Sequence, residues 1–184
     1  MEERDLIYVA GRIDNNDPEL LGFYERVTKL LESLDFKVWL PHRDARKLIK
    51  EKYRSFEDRA LALYIEAEKV IKERVKLILA YVGRPSLGTG QELQIGREIG
   101  IDIVGLAKED DVVTPTVLGN PSLRLLIRFR DMNDLLGKLK NYFSKYKEDP
   151  DYFKKNYDSH QKFLVWSSPE EQRNQYKWMW EDLV

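Results

Sequence analysis

An α/β fold on a parallel, doubly wound sheet is what this sequence predicts, and three observations carry the prediction. Short continuous apolar runs alternate with stretches of helical periodicity over residues 6–146. Six of the ten glycines fall within residues 83–105, at the join between one such run and the next helix. Eleven of the twenty-one aromatics fall in the last 44 residues, so a C-terminal segment differs in composition from the rest.

Each element follows from its residues. Leu6–Ala10 is apolar throughout and too short for a helix, so it predicts a buried strand ended by Gly11. Asp17 can cap a helix that has Pro18 at its first position. Leu20, Phe23, Tyr24, Val27, Leu30 and Leu31 carry that helix to about Leu34. Phe36–Leu40 predicts a second strand, stopped by Pro41. Residues 41–54 are polar and basic, which fits a loop or a short helix. Ser55–Asp58 reads as a helix start, and Leu63, Ala67, Val70 and Ile71 mark one face of a long helix. Leu77–Val82 predicts the third strand, Thr89–Ile99 a helix ended by Gly100, and Ile101–Leu106 the fourth strand. Residues 107–122 read as mostly loop, Leu123–Phe129 as the fifth strand, and Asp131 as the cap of a helix to about Tyr146.

Parallel strands joined by helical crossovers give a flavodoxin-like or Rossmann-like sheet, with 2-1-3-4-5 the expected order. The catalytic unit is expected over residues 1–146. Residues 147–184 are expected to form a helical, aromatic-rich extension whose last helix starts near Pro169.

Composition bounds the chemistry. The chain has 184 residues, 42% apolar and 34% charged, which excludes a disordered chain. It has no cysteine and only His42 and His160, so thiolate and multi-histidine metal sites are not expected. Its formal net charge of −1 argues against coating a nucleic-acid polymer. The absence of a long apolar run and the charged start MEERD predict a cytoplasmic chain with no membrane partner. His42, at the end of the second strand, reads as structural.

In a sheet of this order, ligands sit beyond the carboxyl ends of the strands where the winding reverses. That places Tyr8, Gly11, Arg12 and Ile13 opposite Gly83–Glu92. The segment RPSLGTGQE has glycines at 88 and 90 that let backbone amides approach an anion. It lacks the GK[ST] ending of a phosphate-binding P-loop and the GxGxxG dinucleotide fingerprint. Glu92 has two competing readings. In one, Thr89-x-x-Glu92 is a capping box and the glutamate bonds the cap amide. In the other, the positive end of the helix keeps a carboxylate ionised, and it faces the crevice to attack an electron-poor carbon.

The segments IYVAG (7–11), YER (24–26) and, above all, PSLGTGQEL (85–93) resemble the nucleoside 2-deoxyribosyltransferase superfamily. The nearest branch by that resemblance is the 2'-deoxynucleoside 5'-phosphate N-hydrolases, and it covers about residues 5–145. The resemblance implies that Glu92 is a nucleophile that attacks C1' of the sugar and forms a glycosyl-enzyme. It implies that Tyr8 orients Glu92, and that Glu68, where the family usually has aspartate, protonates the leaving base, with Glu66 as its rival. Ser86 matches a residue that contacts the 5'-phosphate, and Thr114 a hydroxyl that reaches the neighbouring subunit. Where the hydrolases resemble Ser-x-Arg, this chain has Arg12 and Asp14.

The resemblance therefore implies cleavage of 2'-deoxynucleoside 5'-monophosphates without metal or organic cofactor, by a homodimer or larger homo-oligomer. Two other functions compete with it: base exchange between deoxynucleosides, and a catalytically silent nucleotide-binding module. The aromatic tail is expected to pack on the domain or a second subunit, or to close over the base.

Overall fold

Five strands, β1 (Leu6–Ala10), β2 (Lys37–Trp39), β3 (Val75–Tyr81), β4 (Asp102–Lys108) and β5 (Leu123–Phe129), pair in parallel in the order β2-β1-β3-β4-β5. The computed structural model describes residues 4–52, 56–84 and 86–151. The expected topology is the observed one. Six helices accompany the strands among the described residues: α1 (Pro18–Ser33), α2 (Pro41–Lys52), α3 (Phe56–Arg74), α4 (Leu87–Glu98), α5 (Pro115–Leu118) and α6 (Met132–Glu148).

Strand side chains alternate between two apolar layers, which is why the strands read as continuous apolar runs. Ile7, Val9, Leu79 and Tyr81 point to the layer covered by α1 and α6, through Phe23, Val27, Leu135 and Phe143. Tyr8, Ala10, Ile78 and Ala80 point to the layer covered by α3 and α4, through Val70, Ile71 and Leu93. The caps predicted at Asp17 and Asp131 hold, while Ser55 lies outside the described residues. Leu20 N–H donates to Asp17 Oδ1 at 2.9 Å, and Asp134 N–H donates to Asp131 Oδ1 at 3.0 Å. Gly100 follows α4 at φ 72°, a left-handed position that glycine occupies without a Cβ penalty.

Several boundaries differ from expectation. Pro41 does not only stop β2; it begins α2, a 12-residue helix where a loop or short helix was expected. Among the described residues, Ala45 and Ile49 of this segment join a small cluster with Ala62 and Trp39. The first half of α3 packs on that cluster through Ala62. Leu63, expected on its buried face, is therefore 42% exposed. β3 begins two residues early, at Val75. The long loop after β4 contains the single turn α5. α6 continues past Tyr146 to Glu148; the extension from residue 152 onward lies outside the described residues. Among the described residues no helix is long and apolar enough to cross a membrane.

Candidate active site

The site is built where β1 and β3 end and α4 begins. Ser86 adopts an extended backbone, φ −150° and ψ 128°, and its Oγ accepts from Thr89 N–H at 3.4 Å. Ser86, not Thr89, is therefore the N-cap of α4, and Leu87 is its first residue. This removes the capping box. Glu92 sits in the second turn, beyond reach of the cap amide, with its side chain free for another partner.

That partner is Tyr8, whose hydroxyl donates to Glu92 Oε1 at 2.7 Å. Three positions bring the two together. Tyr8 pairs in register with Ile78 on β3 and points into the α3/α4 layer. Glu92 and Gly96 are four residues apart, so they share one face of α4, and Gly96 is buried. A Cβ at Gly96 would collide with Ile78 Cδ1, so glycine there lets α4 lie close on β3. Without that approach a glutamate on α4 would stand off from the sheet.

The electrostatics reverse one expectation. The helix N-terminus was expected to keep Glu92 ionised, but its pKa is raised from 4.5 to about 7. Burial is the larger cause, because it penalises the charged form; the Tyr8 hydrogen bond lowers the pKa and only partly offsets it. In the second turn the helix field has already weakened, so desolvation wins. Tyr8 itself is pushed well above 10, first by burial and then by the adjacent Glu92 charge, so its hydroxyl keeps its proton and donates.

The remaining predicted residues separate into groups. Ser86, Gly90 and Thr114 line one cleft of about 570 Å³ between the start of α4 and α5, with Gln91 and Gln94 on its wall. Gly88 and Gly90 are exposed, and a Cβ at Gly90 would meet nothing within 4 Å. Gly11 has an internal role: a Cβ there would run into the Tyr24 ring, whose hydroxyl donates to the Arg12 carbonyl at 3.0 Å. Arg12 is exposed and pairs with Asp14 at 2.9 Å, so the two residues that depart from the family pattern hold each other. Ile13 is 42% exposed. Glu66 and Glu68 are both half-buried on α3, and the Glu68 carboxylate is paired with Lys72 one turn later at 2.5 Å. Among the described residues, neither joins the Tyr8–Glu92 pair. His42 packs against Tyr24 with Nε2 3.3 Å from Glu25, and burial lowers its pKa.

Two polar links at the strand ends gave no sequence signal. Arg84, just before α4, pairs with Asp17 at 2.6 Å. The Asp111 carboxylate accepts from Tyr81 Oη at 2.9 Å and Lys108 N–H at 2.7 Å, and it occupies the space a Cβ at Gly83 would need. Arg84 and Asp17 lie 67 residues apart and Tyr81 and Asp111 lie 30 apart, so only the closed sheet brings them together.

No protein-family pattern matches the chain, and no curated protein sequence matches it. Solved structures do. The CMP N-glycosidase of Clostridium botulinum superposes with a TM-score of 0.55 at 20% identity, over 74% of this chain and 98% of that one. A 2-deoxyribosyltransferase of Bacillus psychrosaccharolyticus superposes with a TM-score of 0.53 at 20% identity, over 71% of this chain and 90% of that one. With its 2-1-3-4-5 parallel sheet, the chain thus shares the α/β fold of these two structures over nearly their whole length.

Proposed function

We propose that this chain cleaves the N-glycosidic bond of 2'-deoxynucleoside 5'-monophosphates, with Glu92 as nucleophile. The observation that carries the reading is the hydrogen bond from Tyr8 to a desolvated Glu92 at the switch point of the sheet. The superposable structures are named for a CMP N-glycosidase and a deoxyribosyltransferase, which supports the same bond as the one cleaved.

The chemistry runs in two steps. The ionised Glu92 attacks C1' as the C1'–N bond breaks, and the electron pair leaves with the base, which takes a proton from an acid on α3. Glu68 is assigned that role, with Glu66 as alternative. Water then attacks C1' and releases the sugar phosphate and the Glu92 carboxylate. Tyr8 holds Oε1, so the other oxygen is free to attack.

Two further features support a phosphorylated substrate. Ser86 offers a neutral hydroxyl, which tolerates a phosphate that a carboxylate would repel. Glycine costs about 0.5–1 kcal/mol in a helix. At Gly90 the chain's own packing gives no reason to bear that cost, so the space is assigned to the ligand. Leu61, Leu63, Tyr64 and Ile65 on α3 and Leu87 at the start of α4 are exposed apolar side chains, and they support assembly into a dimer, read by sedimentation mass.

The test is an assay of all eight ribo- and deoxynucleoside monophosphates, repeated with added free base. Release of free base and deoxyribose 5-phosphate is expected. A new nucleoside formed faster than free sugar would replace hydrolysis by base exchange, and tight binding without turnover would leave a silent binding module. Tyr8→Phe is expected to lower kcat about 10- to 100-fold, the worth of a hydrogen bond to a charged group. It also removes the contact that lowers the Glu92 pKa, so the acid limb of kcat/KM should move above pH 7. An acid limb that stays in place would remove Tyr8 from the site.

A further inference from the structure

We propose that the cavity between α1 and α6, on the sheet face opposite Tyr8 and Glu92, is a second binding site, for a compact organic phosphate. It opens over the carboxyl ends of β3, β4 and β5 and has a volume of about 240 Å³. Phe23, Tyr81 and Phe129 form its apolar floor, with the Phe23 ring 4.9 Å from Tyr81 and 5.8 Å from Phe129.

Charge is what points to an anion. Arg26, Arg84, Lys108 and Arg130 stand around this one cavity, against Glu19 and Asp131. Four of the acids nearby are already engaged, while Glu19 is left facing the cations. Asp131 caps α6, and Asp17 holds Arg84. Asp134 takes the Lys138 ammonium at 2.9 Å and the Arg130 amide at 3.0 Å, and lies 3.9 Å from the Arg130 guanidinium. Asp111 is held by Tyr81 and the Lys108 amide. Among the described residues no carboxylate ion-pairs with Arg26 or with the Lys108 ammonium; the Arg26 guanidinium donates to the Gly22 carbonyl, at 3.3 Å. Cations collected around one concave surface repel one another unless an anion lies between them.

Size and floor narrow the class. The volume of about 240 Å³ lies below the roughly 300–1,000 Å³ of drug-sized ligand pockets and suits a sugar phosphate or single-ring phosphate. The apolar floor favours an organic body over a bare ion. Arg84 also lines the cleft at Ser86. A ligand that draws Arg84 away from Asp17 would therefore change the charge facing that cleft, linking the two sites. The proposal stands apart from the glycosidase reading, since it uses neither Tyr8 nor Glu92.

Calorimetric titration of the full chain with ribose 5-phosphate, and separately with inorganic phosphate, tests it. The wild type and Glu92→Gln are expected to bind ribose 5-phosphate equally, and a Lys108→Ala/Arg130→Ala double variant at least about tenfold more weakly. Both substituted side chains are exposed, so circular dichroism should show an unchanged fold. Should the double variant unfold, Arg26→Gln carries the same expectation. Undiminished binding by the folded double variant overturns the site, as does no binding of ribose 5-phosphate at about 10 mM. Equal affinity for inorganic phosphate overturns the organic part of the assignment.

Discussion

Replacing Glu92 by glutamine is expected to reduce base release from the preferred deoxynucleotide by at least about 10³-fold, with the fold intact. The expectation follows from the roles at the site. Tyr8 can still donate to the amide oxygen of glutamine, so the shape of the pair survives. The amide cannot form the ester with C1' that divides one difficult displacement into two easier ones. A loss on the order of 10³ corresponds to about 4 kcal/mol of transition-state stabilisation, more than one hydrogen bond supplies. A stopped assay of free base with high enzyme concentration reads it. Full activity of the variant would remove Glu92 from the mechanism, whatever Tyr8 does. The wild-type profile carries a linked expectation. In the proposed mechanism only the ionised carboxylate attacks, and its pKa is about 7, so kcat/KM should rise about tenfold per pH unit below that value and level off above it.

The same substitution is expected to stabilise the protein at alkaline pH. The Glu92 carboxyl is raised from 4.5 to about 7 on folding, because burial penalises its charged form. A raised acid binds its proton more tightly in the folded state. Its favourable contribution is complete below pH 4.5 and is lost as pH rises through about 7. Every tenfold gain in proton affinity on folding is worth about 1.4 kcal/mol, so the half-buried carboxylate costs at most about 3 kcal/mol at pH 8. Glutamine carries no charge and avoids that cost. Urea unfolding should therefore show Glu92→Gln more stable than wild type by up to about 3 kcal/mol at pH 8, with no gain at pH 4. An equal difference at both values would show that burial does not perturb Glu92. Under the proposed mechanism the coupling has a functional sense: holding a desolvated nucleophile costs stability.

The doubly wound sheet was legible because its signals are local. Five apolar runs, Pro18 after Asp17, Asp131 before α6 and Gly100 after α4 each act within a few residues, and the right-handed crossover rule does the rest. The topology in turn nominated the β1 and β3 ends, and the resemblance of PSLGTGQEL implied the pairing of Tyr8 with Glu92 that the 2.7 Å hydrogen bond displays. α2 was legible only as one of two alternatives, a loop or a short helix, because residues 41–54 are polar and basic. The cap of α4 falls at Ser86 rather than at Thr89, and that offset alone had kept the capping box alive.

What the sequence determined by itself is the order of elements and the strand ends that meet; for Glu92 it left a cap and a crevice carboxylate as competing readings. What only the tertiary structure decided is how that carboxylate behaves. Gly96 lowers α4 onto Ile78, the approach half-buries Glu92 against Tyr8, and that desolvation raises its proton affinity. The pairing of Arg12 with Asp14, of Glu68 with Lys72, and of Arg84 with Asp17 was decided there too. Helix and strand propensities depend on neighbours along the chain, whereas desolvation and ion pairing depend on what lies across space, and only the closed sheet supplies that.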